Sequence, residues 1–108
     1  MQFNEYQRKA RKTAIYAGKG DNIFYAALGL GEAGEVQNTV KKIMRDDNGV
    51  LTKVRKQLIC YELGDLLWYI AAMCSEMKVN MDKIAEMNIK KLYDRMKRGQ
   101  IKGSGDKR

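Results

Sequence analysis

The chain contains no histidine and no proline. Without histidine it has no imidazole for proton transfer, no Ser–His or Cys–His nucleophile pair, and no His-ligated zinc or di-iron centre. Without proline, no residue forces a helix to stop. Cysteine is scarce. Cys60 and Cys74 read as lying on one helix, roughly 21 Å apart at 1.5 Å per residue, too far to pair within the chain. Two unpaired thiols suit a reducing cytoplasm, and a cytoplasmic location is the expectation. No apolar run approaches the ~18 residues of a membrane span. The opening "MQFNEYQRKARK" lacks the apolar core of a signal peptide, so no membrane is expected as a partner.

With 108 residues, 44% hydrophobic and 31% charged, the composition fits one globular domain. Many chains of this size gain stability by oligomerising. The net charge is +8, unevenly placed: residues 1–20 carry five basic groups, 41–56 six and 90–108 eight. Such a surface suits nucleic acid or a smaller polyphosphate.

The periodicity is helical almost throughout, which predicts an all-α bundle of four to five helices. Asn4 with Gln7 resembles an N-cap and capping box opening a first helix, whose apolar positions Phe3, Tyr6, Ala10, Ala14 and Ala17 run at helical spacing. "GKGDN" (18–22) should break it. A second helix is expected from Ile23 to Arg45, ending in the turn cluster "RDDNG". A third runs from near Thr52 to Lys78, and a fourth, capped at Asn80, to near Gly99. Residues 1–98 read as one helical domain and 99–108 as a basic, Gly-rich tail, mobile in isolation.

On a helical wheel, Leu28, Val36, Thr39 and Ile43 fall within about 40° of Glu32, and Glu35 about 60° away. The segment "ELGDLLWYIAAM" repeats the pattern: Leu58, Leu66, Tyr69 and Met73 fall within about 40° of Glu62, and Asp65 about 60° away. Each helix thus carries an acidic pair at i, i+3 on its inward-looking face. Trp68 falls away from Glu62 and reads as packing or interface. A buried carboxylate is costly unless neutralised, paired or liganded. One arrangement places these acids at helix flanks, paired with Lys or Arg. The other gathers them around a cation. All-oxygen ligation selects a hard ion, Mg²⁺ or Mn²⁺ with Ca²⁺ as an alternative, and Mg²⁺ commonly shares its shell with substrate phosphates. On the fourth helix Asn88, Lys91 and Arg95 share a polar stripe suited to phosphate, beside an apolar stripe of Ala85, Ile89, Leu92 and Met96.

"GLGEAGEV" followed by "ELGDLLWYIA" resembles the MazG-like nucleotide pyrophosphohydrolases of the all-α NTP pyrophosphatase superfamily, which also contains dimeric dUTPases. The signature E-x-x-E…E-x-x-D falls on Glu32, Glu35, Glu62 and Asp65, with 26 residues between the pairs. "NIKKLYDR" (88–95) is similar to the downstream N-x-x-K-L-x-x-R element, and "RGQIKGSGDKR" to the C-termini of small single-domain members. The resemblance implies a bundle of the all-α NTP pyrophosphatase type, completed as a homodimer or homotetramer. It implies Mg²⁺-dependent hydrolysis of a nucleoside triphosphate to the monophosphate and pyrophosphate. It makes Glu32, Glu35, Glu62 and Asp65 metal ligands at the catalytic centre. Separately from the resemblance, one carboxylate not fully committed to metal can act as general base, and Glu35 is the choice for that role. The resemblance makes Lys91 and Arg95 phosphate contacts and Asn88 a substrate-orienting residue. Lys41 and Lys42, just past Glu35, are weaker phosphate candidates. The competing reading is a non-catalytic basic helical module that binds nucleic acid or a protein partner. Inward acids make nucleic acid an unlikely ligand.

Overall fold

In a computed structural model, residues 1–16 and 22–108 can be described, and among them every regular element is helical. The elements are α1 (Phe3–Arg11), α2 (Ile23–Gly29), a 3₁₀ turn (Leu30–Glu32), α3 (Ala33–Asp46), α4 (Lys53–Glu76) and α5 (Met81–Lys97). Helix α4 is the axis of the fold. Helices α1, α2 and α3 and the 3₁₀ turn all pack on it, and α5 packs on α1. The small core gathers Ala10, Ala71, Cys74 and Met81, with Tyr6, Leu67, Trp68 and Ile70 against it. Cys60 and Cys74 are free thiols, and burial pushes the Cys74 thiol above its usual pKa.

Two helix boundaries match the sequence closely and two do not. Thr52 caps α4, accepting a hydrogen bond from the Arg55 N–H at 3.2 Å. Helix α3 ends where "RDDNG" places it: Asn48 and Gly49 take positive φ (53° and 76°), and the Gly49 N–H returns to the Ile43 carbonyl. This closure suits left-handed Asn and Gly. By contrast, Asn4 and Gln7 form no capping box for α1, whose N-cap is Gln2. They reach across to α5 instead. Gln7 Oε1 accepts from the Met81 N–H at 2.8 Å, and Asn4 Oδ1 from the Asp82 N–H at 3.1 Å. Gln7 Nε2 also donates to the Val79 carbonyl at 2.9 Å. Two side chains of α1 therefore cap the helix that begins at Asn80, a long-range role that sequence spacing does not encode. Helix α1 stops at Arg11, short of the Ala17 expected from periodicity. Ala17 and most of "GKGDN" lie outside the described residues.

The second expected helix, Ile23–Arg45, is broken in two by the 3₁₀ turn Leu30–Glu32. Gly29, Gly31 and Gly34 weaken α-helix here and let the chain tighten. At Gly29 a Cβ would overlap the ring of Tyr69, so this glycine lets α2 approach α4. Gly29→Ala is expected to destabilise the fold by about 1–3 kcal/mol, read as a lower midpoint in urea unfolding. The tightened turn rotates what precedes it, and Leu28, expected on the inward stripe, is 82% exposed.

Helix α4 is long and apolar enough to cross a membrane by length and composition alone. The expectation that no stretch meets that test is therefore corrected. The same stretch carries Glu62 and Asp65, and α1, α2 and α3 pack on it.

The single chain leaves much apolar surface uncovered. Its accessible surface is 8312 Å², against roughly 6,100 Å² for a compact monomer of this mass. Its radius of gyration is 16.9 Å, against about 13 Å. Val54, Leu58 and Tyr61 make a bare stripe on α4, and Ile89, Leu92 and Met96 another on α5. The expected packing of α5 through Ile89, Leu92 and Met96 is therefore not made within the chain. Among the methionines, Met81 is buried, whereas Met77, Met87 and Met96 are exposed.

Candidate active site

The two acidic pairs lie on neighbouring segments, the first where the 3₁₀ turn passes into α3 and the second midway along α4. In each pair the leading residue is half-buried and the trailing one exposed: Glu32 and Glu62 are the inner acids, Glu35 and Asp65 the outer ones. Glu35 and Asp65 thus do not point into the core as the wheel suggested. The correspondence between the two pairs survives at this finer level.

Thr39, 5% exposed on α3, holds Glu62. Its hydroxyl lies 2.9 and 3.0 Å from the two carboxylate oxygens and donates its proton to them. Glu32 and Asp65 share an open cleft of about 370 Å³ with Thr13, Trp68 and Tyr69. Trp68, read from the wheel as facing elsewhere, is a wall of this cleft, with its indole N–H fixed on Thr13 Oγ1 at 2.8 Å. Tyr16, Tyr25, Trp68 and Tyr69 form a continuous aromatic cluster behind it. A hydrogen bond with Tyr25, then burial, then the nearby Glu32 and Asp65 charges push the Tyr69 hydroxyl above its ordinary pKa. Burial, then the Asp65 charge, does the same to Tyr6.

The flank arrangement, with these acids neutralised by Lys or Arg, is not found. Among the described residues none of Glu32, Glu35, Glu62 and Asp65 forms an ion pair. Glu5, Asp46, Asp47, Glu76, Asp94 and Asp106 all do. Among the described residues no three His, Cys, Asp or Glu side chains are drawn into a cage. The donor chemistry nevertheless fits a hard cation. Four carboxylates lie on adjoining segments, have no ion-pair partner among the described residues, and include one held by a buried hydroxyl.

The basic residues stand elsewhere. Asn88 lies where α5 meets α4, beside Leu67, Ile70 and Cys74. Lys91 shares a groove with Ile84, Met87 and Asn88. No residue of α5 lines the acidic cleft. Leu67, Ile70 and Cys74 turn one face of α4 to α5, and Asp65 and Tyr69 turn another to the 3₁₀ turn. Lys41 is exposed and Lys42 half-buried, and neither forms an ion pair among the described residues. The tail, expected to be mobile, folds back onto α5, and Arg95 is buried beneath it at 4% exposure. The periodicity of α5 shows the basic stripe but not the tail that covers Arg95. Thr39 is visible on the wheel beside Glu32, but only the structure reveals its bond to Glu62.

The sequence profile of the family described as "MazG nucleotide pyrophosphohydrolase domain" matches residues 23–99. The chain is 43% identical over 114 residues to the "Gene 37 protein" of Mycobacterium phage L5, with the whole of both chains covered. No solved structure matches it.

Proposed function

The chain belongs to the MazG nucleotide pyrophosphohydrolase domain family, and from that premise we propose that it is a Mg²⁺-dependent nucleoside triphosphate pyrophosphohydrolase, splitting (d)NTP into (d)NMP and pyrophosphate. The observation that carries this reading is the set of four carboxylates without an ion-pair partner among the described residues. Glu32, Glu35, Glu62 and Asp65 would hold Mg²⁺, or Mn²⁺ in its place. The ion would neutralise phosphate charge and lower the pKa of water. Glu35, like Asp65 exposed and without a described side-chain hydrogen bond, is assigned the role of accepting a proton from the attacking water. Lys91 and Arg95 stabilise charge developing on the phosphates, and Asn88 orients the substrate. Lys41 and Lys42 supply further positive charge beside Glu35. Trp68 and Tyr69, walls of the acidic cleft, offer flat apolar faces to a nucleobase.

Because α5 packs on α1 and meets α4 on a face away from the acids, one chain does not bring acids and bases into one pocket. A homodimer or homotetramer would do so. The surface in excess of a compact monomer is about 2,000 Å² per chain, within the range of obligate homodimer interfaces. A basic module binding nucleic acid or a protein partner would leave the four acids without a role. A cytoplasmic setting fits the two free thiols.

The test is incubation with canonical and modified nucleoside triphosphates, with Mg²⁺ or with chelator. Monophosphate and pyrophosphate in equal amounts, only with metal, are expected. No pyrophosphate from any nucleotide, from a protein that binds the metal, would refute the reading. Thr39 supplies a second check. Thr39→Val removes the hydroxyl that holds Glu62 and should weaken Mn²⁺ binding roughly 10- to 100-fold, as loss of a group orienting a ligand does. Thr39→Ser should restore it, as read by the paramagnetic signal of free Mn²⁺.

A further inference from the structure

Residues 99–108 form a closed loop on the end of α5. Gly99, Gly103 and Gly105 take positive φ of 70°, 145° and 84°, turns that side chains disfavour. The Arg108 guanidinium ties the loop shut, donating to the carbonyls of Gln100, Ile101 and Gly105 at 3.1, 3.2 and 2.8 Å. Arg98 holds the Arg108 carbonyl at 2.6 Å. Beneath the loop, Arg95 Nη2 donates to the Asp106 carbonyl at 2.7 Å and the Gly105 carbonyl at 3.4 Å. Arg95 Nε is buried with no partner among the described residues. The Asp106 carboxylate sits 3.2 Å from Lys91 Nζ and 3.6 Å from Arg95 Nη2.

The loop thus has two parts of different strength. Its backbone is anchored on buried Arg95. Its one carboxylate side chain is 88% exposed and bound to Lys91 by an open ion pair, a kind that contributes little. A carboxylate and a phosphoryl group offer ammonium and guanidinium the same anionic oxygens. We infer that Asp106 is an internal competitor for substrate phosphate: the tail lays its carboxylate on Lys91 and Arg95, and a polyphosphate must displace it to bind. The inference rests on Lys91 being a phosphate contact; Arg95, its side chain 5% exposed beneath the loop backbone, acts on the phosphate through its charge alone. The inference assigns the tail a role in setting affinity, with the backbone anchor retained as the carboxylate swings aside.

The test is calorimetric titration of inorganic tripolyphosphate, with Mg²⁺ present, into the full-length wild type, Asp106→Asn and Lys91→Ala. Asparagine keeps the backbone anchor and removes the competing charge. Asp106→Asn should bind roughly threefold to tenfold more tightly than wild type, and Lys91→Ala more weakly. Equal or weaker binding by Asp106→Asn overturns the inference, as does absence of binding by both it and the wild type. A second measurement needs no variant: the Gly105 and Asp106 amide resonances of the wild type should shift as tripolyphosphate is added, and unchanged resonances at saturation overturn it too. A protein that hydrolyses no nucleotide, yet binds tripolyphosphate more tightly as Asp106→Asn, would refute the hydrolase reading and leave this one standing.

Discussion

Glu62→Gln is expected to lower kcat/KM for nucleotide hydrolysis by about 10²- to 10⁴-fold while leaving the helical circular dichroism unchanged. Glutamine has the shape of glutamate and can still accept the Thr39 hydroxyl proton, so the contact that seats the side chain persists. What disappears is the negative charge, one of a set of four without an ion-pair partner among the described residues. Glu35→Gln should fall as far, because it removes both a ligand charge and the group proposed to take the proton from water. If Glu62→Gln kept full activity, Glu62 would be a half-buried polar residue satisfied by Thr39 and nothing more. Pyrophosphate release under saturating and limiting nucleotide separates kcat from KM.

The second large effect concerns assembly. Leu58→Asp combined with Ile89→Asp should convert an oligomer into a monomer and abolish activity. Leu58 (42% exposed) and Ile89 (49% exposed) lie on the two bare apolar stripes of α4 and α5. Burying each is expected to contribute about 1.5–3 kcal/mol relative to exposure, and a charge placed in a dry interface costs more than that gain. The mass in solution, by light scattering on a sizing column, should drop to that of one 12.4 kDa chain. Unfolding should also become less cooperative, because the core of a single chain is small. A wild type that is monomeric at micromolar concentration would instead require one chain to bring α5 to the acids by itself.

The part of this molecule that follows from local chemistry is legible in the sequence. Thr52 and the "RDDNG" turn are punctuation that acts within a few residues, and the structure follows it. Asn4 and Gln7 show the limit. The spacing of a capping box is present, but the stronger demand comes from the unpaired N–H groups at the start of α5, far away in sequence. The glycine cluster 29–34 misleads the wheel in a similar way. A constant 100° per residue cannot describe a 3₁₀ turn, so Leu28 reads as inward and lies outward. The acid pairs survive because each spans only i, i+3. Even there, the wheel does not tell the half-buried leading acid from the exposed trailing one. Nothing in the sequence indicates that the tail settles on Arg95, since that contact depends on three glycines and on Arg108 acting together. By angle Trp68 belongs to a different face, but a side chain of that size reaches round its helix and walls the cleft beside Asp65.

Whether the four carboxylates hold the metal is tested most directly by a Mn²⁺ titration of the wild type and of the Glu32→Gln/Glu62→Gln double variant, each with and without tripolyphosphate, followed by the signal of free Mn²⁺. Stoichiometric binding to the wild type, tightened by tripolyphosphate, is predicted, with its loss in the double variant while the helical spectrum stays unchanged. Undiminished Mn²⁺ binding by the double variant would contradict the assignment of these carboxylates as the metal site.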